Sequence, residues 1–322
     1  MESKKRYDNI DFMKGVCILL VVAAHIDMPL LSHPCFSLFR MPLYYFLSGI
    51  FFSRYDGFKT FLIKKTNNLL IPYLFFSLIS LAILLIYYFC KFGNAQEAYE
   101  KSIPLYNAPV WFLVSLFEVG VFMFFVSGIK RLCLQFCLVV VLSLIGYYIC
   151  EKEIVLPFFL NTALCSIVFY YAGFLLRRKN LLDDHRHIVG KCFLSLALFI
   201  LIAFCIIPGK ELSLISYKIP YAYSWFFLSG LTGTLSLFYF SKIVQKFSVV
   251  NYLGRYSIIV LGTHWYYVKT WAYIISPVIL ATWWCRSLIF LFAIMVSFPT
   301  IYILKKYLPW LTAQKPLIKL PK

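Results

Sequence analysis

Three side chains in the first apolar run of the chain could act together chemically: Asp11, Lys14 and His25 in YDNIDFMKGVCILLVVAAHID. At about 100° per residue they fall on one face of a helix, with Lys14 and His25 separated by about 16 Å along its axis. Asp11 and Lys14 are close enough to pair, whereas His25 stands alone toward the far end. An imidazole is the side chain best suited to taking and returning a proton near neutral pH. Arg40 follows in FRMPLYYFLSG. A guanidinium brought beside an imidazole could bind an anionic group or hold the oxygen of a developing oxyanion. Two further polar residues sit in apolar runs: Glu118 in APVWFLVSLFEVG, a third of the way into its run, and His264 near the middle of NYLGRYSIIVLGTHWYY. Each also has a structural reading, as an ion pair that sets orientation, an arginine reaching lipid phosphate, or a hydrogen bond between helices.

These residues need elements to carry them, and composition names the medium. Of 322 residues 62% are hydrophobic and only 14% charged, against about half and a quarter in soluble domains. Crossing a hydrocarbon core takes roughly 20 helical residues. Ten runs qualify: residues 12–30, 36–53, 69–90, 110–128, 132–150, 154–176, 192–208, 221–240, 256–274 and 283–304. None alternates with the period of a strand, so the expected fold is all-α, a polytopic bundle of about ten transmembrane helices. Pro42 is expected in the first turn of the second helix, where its missing N–H is not needed. That arrangement would bring Arg40 to the depth of His25 across a short loop.

The 31 basic residues set the orientation. Most lie in MESKKR, the segments 53–68, 128–131, 177–191 and 241–255, and the tail from Lys305. If the N-terminus is cytoplasmic, all of these fall on the cytoplasmic side, which is the positive-inside pattern and puts both termini there. The net charge of +18 then reflects topology and anionic lipid contact rather than nucleic-acid binding. The first run is too long for a cleavable signal and is expected to remain as a helix. With the longest gap, 91–109, no more than about twenty residues, the reading is a single membrane domain over 1–322 with no separate soluble domain. Ten scattered cysteines, with no histidine or carboxylate beside Cys133 and Cys137, give no metal site, and none is expected.

The blocks RYDNIDFMKGVCILLVVAAH, FRMPLYYFLSGIFF, KKTNNLLIPYLFF, VWFLVSLFEV and YLGRYSIIVLGTH, in that order, resemble the acyltransferase 3 family of integral-membrane acyltransferases, nearest its fucose 4-O-acetylase-like branch. The resemblance implies transfer of an acetyl group from cytoplasmic acetyl-CoA to a hydroxyl of an extracytoplasmic glycan or lipid-linked sugar, in the plasma (inner) membrane of a bacterium. The family's motif histidine matches His25 and its motif arginine Arg40. Its aspartate matches Asp11, Lys14 stands where arginine is common, and Glu118 fits a Trp-to-Glu motif with a longer spacing. His25 would act as general base or as acyl relay. Lys14, Lys64 and Lys65 could hold the phosphates of coenzyme A, and His264 is grouped with them as a donor contact. The same polar residues could instead line the pathway of a transporter or flippase of a lipid-linked sugar, or belong to a silent scaffold.

Overall fold

The computed structural model describes residues 7–94, 96, 108–206, 213–214, 219, 222–244, 247–275, 277–280 and 282–320. Lys4, Lys5 and Arg6, much of the 91–109 gap and Lys322 lie outside them. The regular elements of the described residues are helices: α1 Asp8–His25, α2 Pro34–Ile50, α3 Phe58–Lys65, α4 Ile71–Phe92, α5 Trp111–Val126, α6 Leu132–Glu151, α7 Leu160–Arg178, α8 Ile188–Ile206, α9 Tyr223–Val244, α10 Ser248–Arg255, α11 Ser257–Ile274, α12 Pro277–Leu280 and α13 Trp283–Tyr307. One π-helical turn, Thr66–Leu70, joins α3 to α4.

Each expected span coincides with a helix, but they are not equal. Six helical stretches are long and apolar enough to cross a membrane: Phe58–Phe92, Leu132–Glu151, Pro157–Arg178, Ile188–Cys205, Tyr223–Val244 and Trp283–Tyr307. The chain is a multi-pass membrane protein. Trp111–Val126 is apolar and shorter. Three other expected spans fall short of that measure for local reasons: α1 carries Asp8, Asp11 and Lys14, α2 has 17 residues, and α11 mixes Thr, His, Tyr and Lys into its apolar run.

The second helix corrects the reading of Pro42. It starts at Pro34, with the His33 ring accepting from the Cys35 N–H at 3.3 Å as an N-cap, so Pro42 lies in the helix interior. Pro34 already occupies the position where a missing N–H is harmless. Pro42 therefore leaves one carbonyl of the preceding turn without its helical donor.

Two compact units divide the chain: Met1–Arg54 with Glu118–Ser257, and Tyr55–Phe117 with Ile258–Lys322. In the first unit α2 packs on α7 and α9, α1 on α10 and α2, α6 on α7, and α8 on α9. Three crossings bring backbones together, one of them Gly146 of α6 against Leu164 and Cys165 of α7. A Cβ added to Gly49 would meet the Tyr170 carbonyl, and one added to Gly173 the Phe46 carbonyl; at the third crossing, Gly15 faces the Val250 carbonyl and Gly254 the Asp11 carbonyl. Small residues at helix crossings allow this approach in membranes.

In the second unit polar side chains join the helices. Tyr266 Oη donates to the Phe76 carbonyl at 3.0 Å and shares a 2.7 Å hydrogen bond with Ser80 Oγ, while Tyr267 Oη lies 2.6 Å from Thr300 Oγ1. Asn67, buried in the π turn, clasps the tail: Oδ1 accepts from the Leu317 and Ile318 N–H groups at 2.8 Å each, and Nδ2 donates to the Ile318 carbonyl at 2.9 Å and the Ile63 carbonyl at 3.0 Å.

Gly49→Ala, which forces α2 off α7, should lower stability by about 1–3 kcal/mol. Thermal unfolding of the purified protein in detergent checks this; an unchanged melting temperature would mean the backbones are not in contact.

Candidate functional site

The predicted polar face of α1 grades from buried to exposed. Asp11 is buried, Lys14 half-buried, and His25, the last residue of the helix, exposed. Asp11 meets a cation the sequence reading did not assign to it: Arg255 Nε lies 3.8 Å from its Oδ2. This contact depends on α10, a helix of two turns between two expected spans, whose Gly254 sits against the Asp11 carbonyl. Lys14 Nζ stands 4.9 Å from the centre of the Phe51 ring, a cation–π distance. The Arg177 guanidinium shares that ring at 6.0 Å and donates to the Ile50 carbonyl at 3.2 Å, satisfying the C-terminal end of α2.

Arg40 sits in the seam between α1 and α2, and is half-buried. Its backbone carbonyl accepts from the Cys17 thiol at 3.0 Å, and its Nη1 donates to the Leu20 carbonyl at 3.4 Å. Arg40 is thus anchored at the level of Cys17 and points up α1 to Leu20. Leu20 is five residues short of His25, about 7.5 Å along the helix. The expected level of Arg40 with His25 is therefore corrected: along α1 the guanidinium meets the Leu20 carbonyl, more than a turn before His25. Among the described residues the Leu20 carbonyl is the guanidinium's one hydrogen-bond acceptor, and no carboxylate pairs with it. Four of its five N–H groups remain for another acceptor.

Glu118 lies at the midpoint of α5 rather than a third of the way in, since that helix begins at Trp111 and ends at Val126. Its Oε2 is buried and has no hydrogen-bond partner among the described residues. A buried carboxylate oxygen without a donor is costly, which sets Glu118 apart from the partnered residues of the unit.

The remaining candidates belong to the second unit. His264 is fully buried near the middle of α11, with Nδ1 2.9 Å from the Val260 carbonyl one turn back. Lys64 and Lys65 end α3, where the helical stretch runs on through the π turn into α4. Lys64 Nζ stands 3.7 Å from the centre of the Tyr55 ring and Lys65 Nζ 5.8 Å from that of Phe61.

The structure thus brings Asp11, Lys14 and Arg40 onto the packed helices α1, α2 and α10, with His25 at the end of α1. Sequence reasoning missed Arg255, Cys17 and Arg177. The first could have been flagged by the Gly-Arg pair in NYLGRYS; the other two look like ordinary apolar or topological residues until the helices are packed.

A double-mutant cycle on Asp11→Asn and Arg255→Gln should give a coupling of about 1 kcal/mol or less, because the pair is long and its arginine partly exposed. Coupling of several kcal/mol in detergent unfolding would mean a pair sealed from water.

Comparison with known proteins adds one match: residues 7–305 fit the model of a family described as an acyltransferase domain, Acyl_transf_3. No curated protein and no solved structure gives a significant match.

Proposed function

The chain belongs to the acyltransferase 3 family, and from that premise we propose that it is a membrane O-acetyltransferase. In this reading it moves an acetyl group from cytoplasmic acetyl-CoA to a hydroxyl of an extracytoplasmic or lipid-linked glycan. The family match over residues 7–305 is the observation that carries it. The unpaired guanidinium of Arg40 between α1 and α2 supports it.

A sugar hydroxyl is a weak nucleophile at neutral pH. In the proposed reaction His25, exposed at the end of α1, takes the hydroxyl proton as the sugar oxygen attacks the thioester carbonyl. Such general-base help is worth about 10²- to 10⁴-fold. The carbonyl oxygen becomes an oxyanion, for which the uncommitted N–H groups of Arg40 are suitable donors. When the tetrahedral intermediate collapses, the C–S bond breaks and the thiolate of coenzyme A leaves, taking the proton His25 holds. In the relay variant the imidazole itself accepts the acetyl group and passes it to the sugar. Asp11 and Arg255 would fix the start of α1, and Glu118 would supply an acceptor for a substrate hydroxyl. In the first unit Lys14 is a proposed partner of the donor's phosphates; Lys64 and Lys65, with His264, are a separate proposal for donor contact within the second unit alone.

Radiolabelled acetyl-CoA and cell-envelope glycan, supplied to the purified protein, test the reading. The wild type should transfer label, and His25→Ala should lose at least about 10²-fold. Transfer that survives His25→Ala would remove the imidazole from the reaction, and no transfer by the wild type would sink the assignment. Arg40→Lys keeps the charge but loses the planar fork, so a fall in kcat of about 10²-fold is expected. Activity within a few-fold of wild type would reduce Arg40 to a packing residue.

A further inference from the structure

After α13 ends at Tyr307 the chain turns back on itself in a fixed form. The Gln314 and Lys315 N–H groups both donate to the Pro309 carbonyl, at 2.9 and 3.0 Å, and the buried Thr312 donates from Oγ1 to the Leu308 carbonyl at 3.1 Å. Asn67 then holds residues 317 and 318 through their main-chain atoms. A segment held by its backbone leaves its side chains to the surroundings. Here they are three aliphatic groups: Leu317 is 51% exposed, Ile318 42% and Leu320 43%.

The two helices joined by this clasp set its depth. α13 is one of the stretches long and apolar enough to cross a membrane, and the exposed Tyr307 and Trp310 at its end are the aromatic types that gather at a membrane–water boundary. On the other side of the clasp, Phe58–Phe92 has 35 residues where roughly 20 cross the hydrocarbon. α4 alone supplies 22 of them, so Asn67, in the π turn just ahead of α4, stands at the level of the headgroups. Charge points the same way. Lys305, Lys306, Lys315, Lys319 and Lys322 all lie in the tail, and no Asp or Glu follows Glu211 in the chain. Lys315 and Lys319 are exposed and form no ion pair among the described residues.

A clasp that only closed the unit would need the backbone of the tail. It would not need exposed aliphatic side chains interleaved with lysines. Water is a poor medium for the first and hydrocarbon for the second, whereas the boundary between acyl chains and anionic headgroups takes both. A second copy meeting this face across a two-fold axis would set lysine against lysine. We propose that residues 310–320 form an in-plane strap embedded in the leaflet in which α13 ends. Trp310, Leu317, Ile318 and Leu320 enter the acyl boundary, and Lys315 and Lys319 lie on the phosphates of anionic phospholipids. The strap belongs to the second unit by itself, and the inference does not rest on the acyl-transfer reading.

The full chain with a fluorescent dansyl-alanine in place of Leu320, reconstituted in vesicles, tests the depth and the charge preference together. In phosphatidylglycerol mixed with phosphatidylcholine, lipids brominated on their acyl chains should quench the probe and dissolved acrylamide should not. Lys315→Gln/Lys319→Gln should lower the ratio of embedded to water-exposed strap by about fivefold per lysine removed. Leu317→Ser/Ile318→Ser should abolish quenching by lipid while keeping the main-chain bonds to Asn67. Both double variants alter exposed side chains, so their melting temperatures in an uncharged detergent should match the wild type. A probe quenched by acrylamide and not by brominated lipid would overturn the proposal. So would equal quenching in phosphatidylcholine alone with no effect of the lysine variant. A probe shielded from both quenchers, in a protein whose dimerisation is lost in Leu317→Ser/Ile318→Ser, would overturn it in favour of an interface between copies.

Discussion

At three points in the first unit two helix backbones touch, and only glycine permits it; two of these carry the charges. Gly49 and Gly173 let α2 meet α7, and Gly15 and Gly254 let α1 meet α10. In each case a charged contact follows within a few residues: Arg177 reaches the end of α2 beside the first crossing, and Arg255 reaches Asp11 beside the second. Long side chains could span wider gaps, but not while also giving the charge a fixed partner. The order of cause therefore runs from small residues to close backbones to placed charges. Arg40 depends on the same packing, since both of its contacts are carried by α1.

The helices were legible because apolar runs in a polar-poor sequence leave few alternatives. Each of the ten runs is a helix, although six of the helical stretches have the length and hydropathy of a span. What the runs could not give was where an apolar helix starts. Hydropathy is indifferent to a helix extended by Pro34 and Cys35, whereas the cap made by His33 decides it. The run from residue 36 already held Pro42 in its second turn, so the reading of Pro42 as a first-turn proline went against the run itself.

Site residues were legible as types and illegible as partners. A lone polar residue in an apolar run announces itself, so Asp11, His25, Arg40, Glu118 and His264 could be singled out by cost alone. Their partners are backbone carbonyls, a thiol and an aromatic face, which carry no such signal. Cys17 reads as a small apolar residue in sequence and acts as a donor only because the Arg40 carbonyl is opposite it. Arg255 was present in a quoted motif but lay on a short helix that no hydropathy window detects.

Asn67 holds the second unit closed across 251 residues of chain. Its amide sits in the π turn at the head of α4, and its partners Leu317 and Ile318 are among the last residues described. Synthesis runs at about 5–20 residues per second, so roughly 12–50 s pass between the appearance of Asn67 and of its clasp. For that interval Nδ2 keeps the Ile63 carbonyl one turn back while Oδ1 lacks its Leu317 and Ile318 donors, and α3 and α4 stand without α11 and α13. The second unit is therefore completed only after the residues of the first unit have been made.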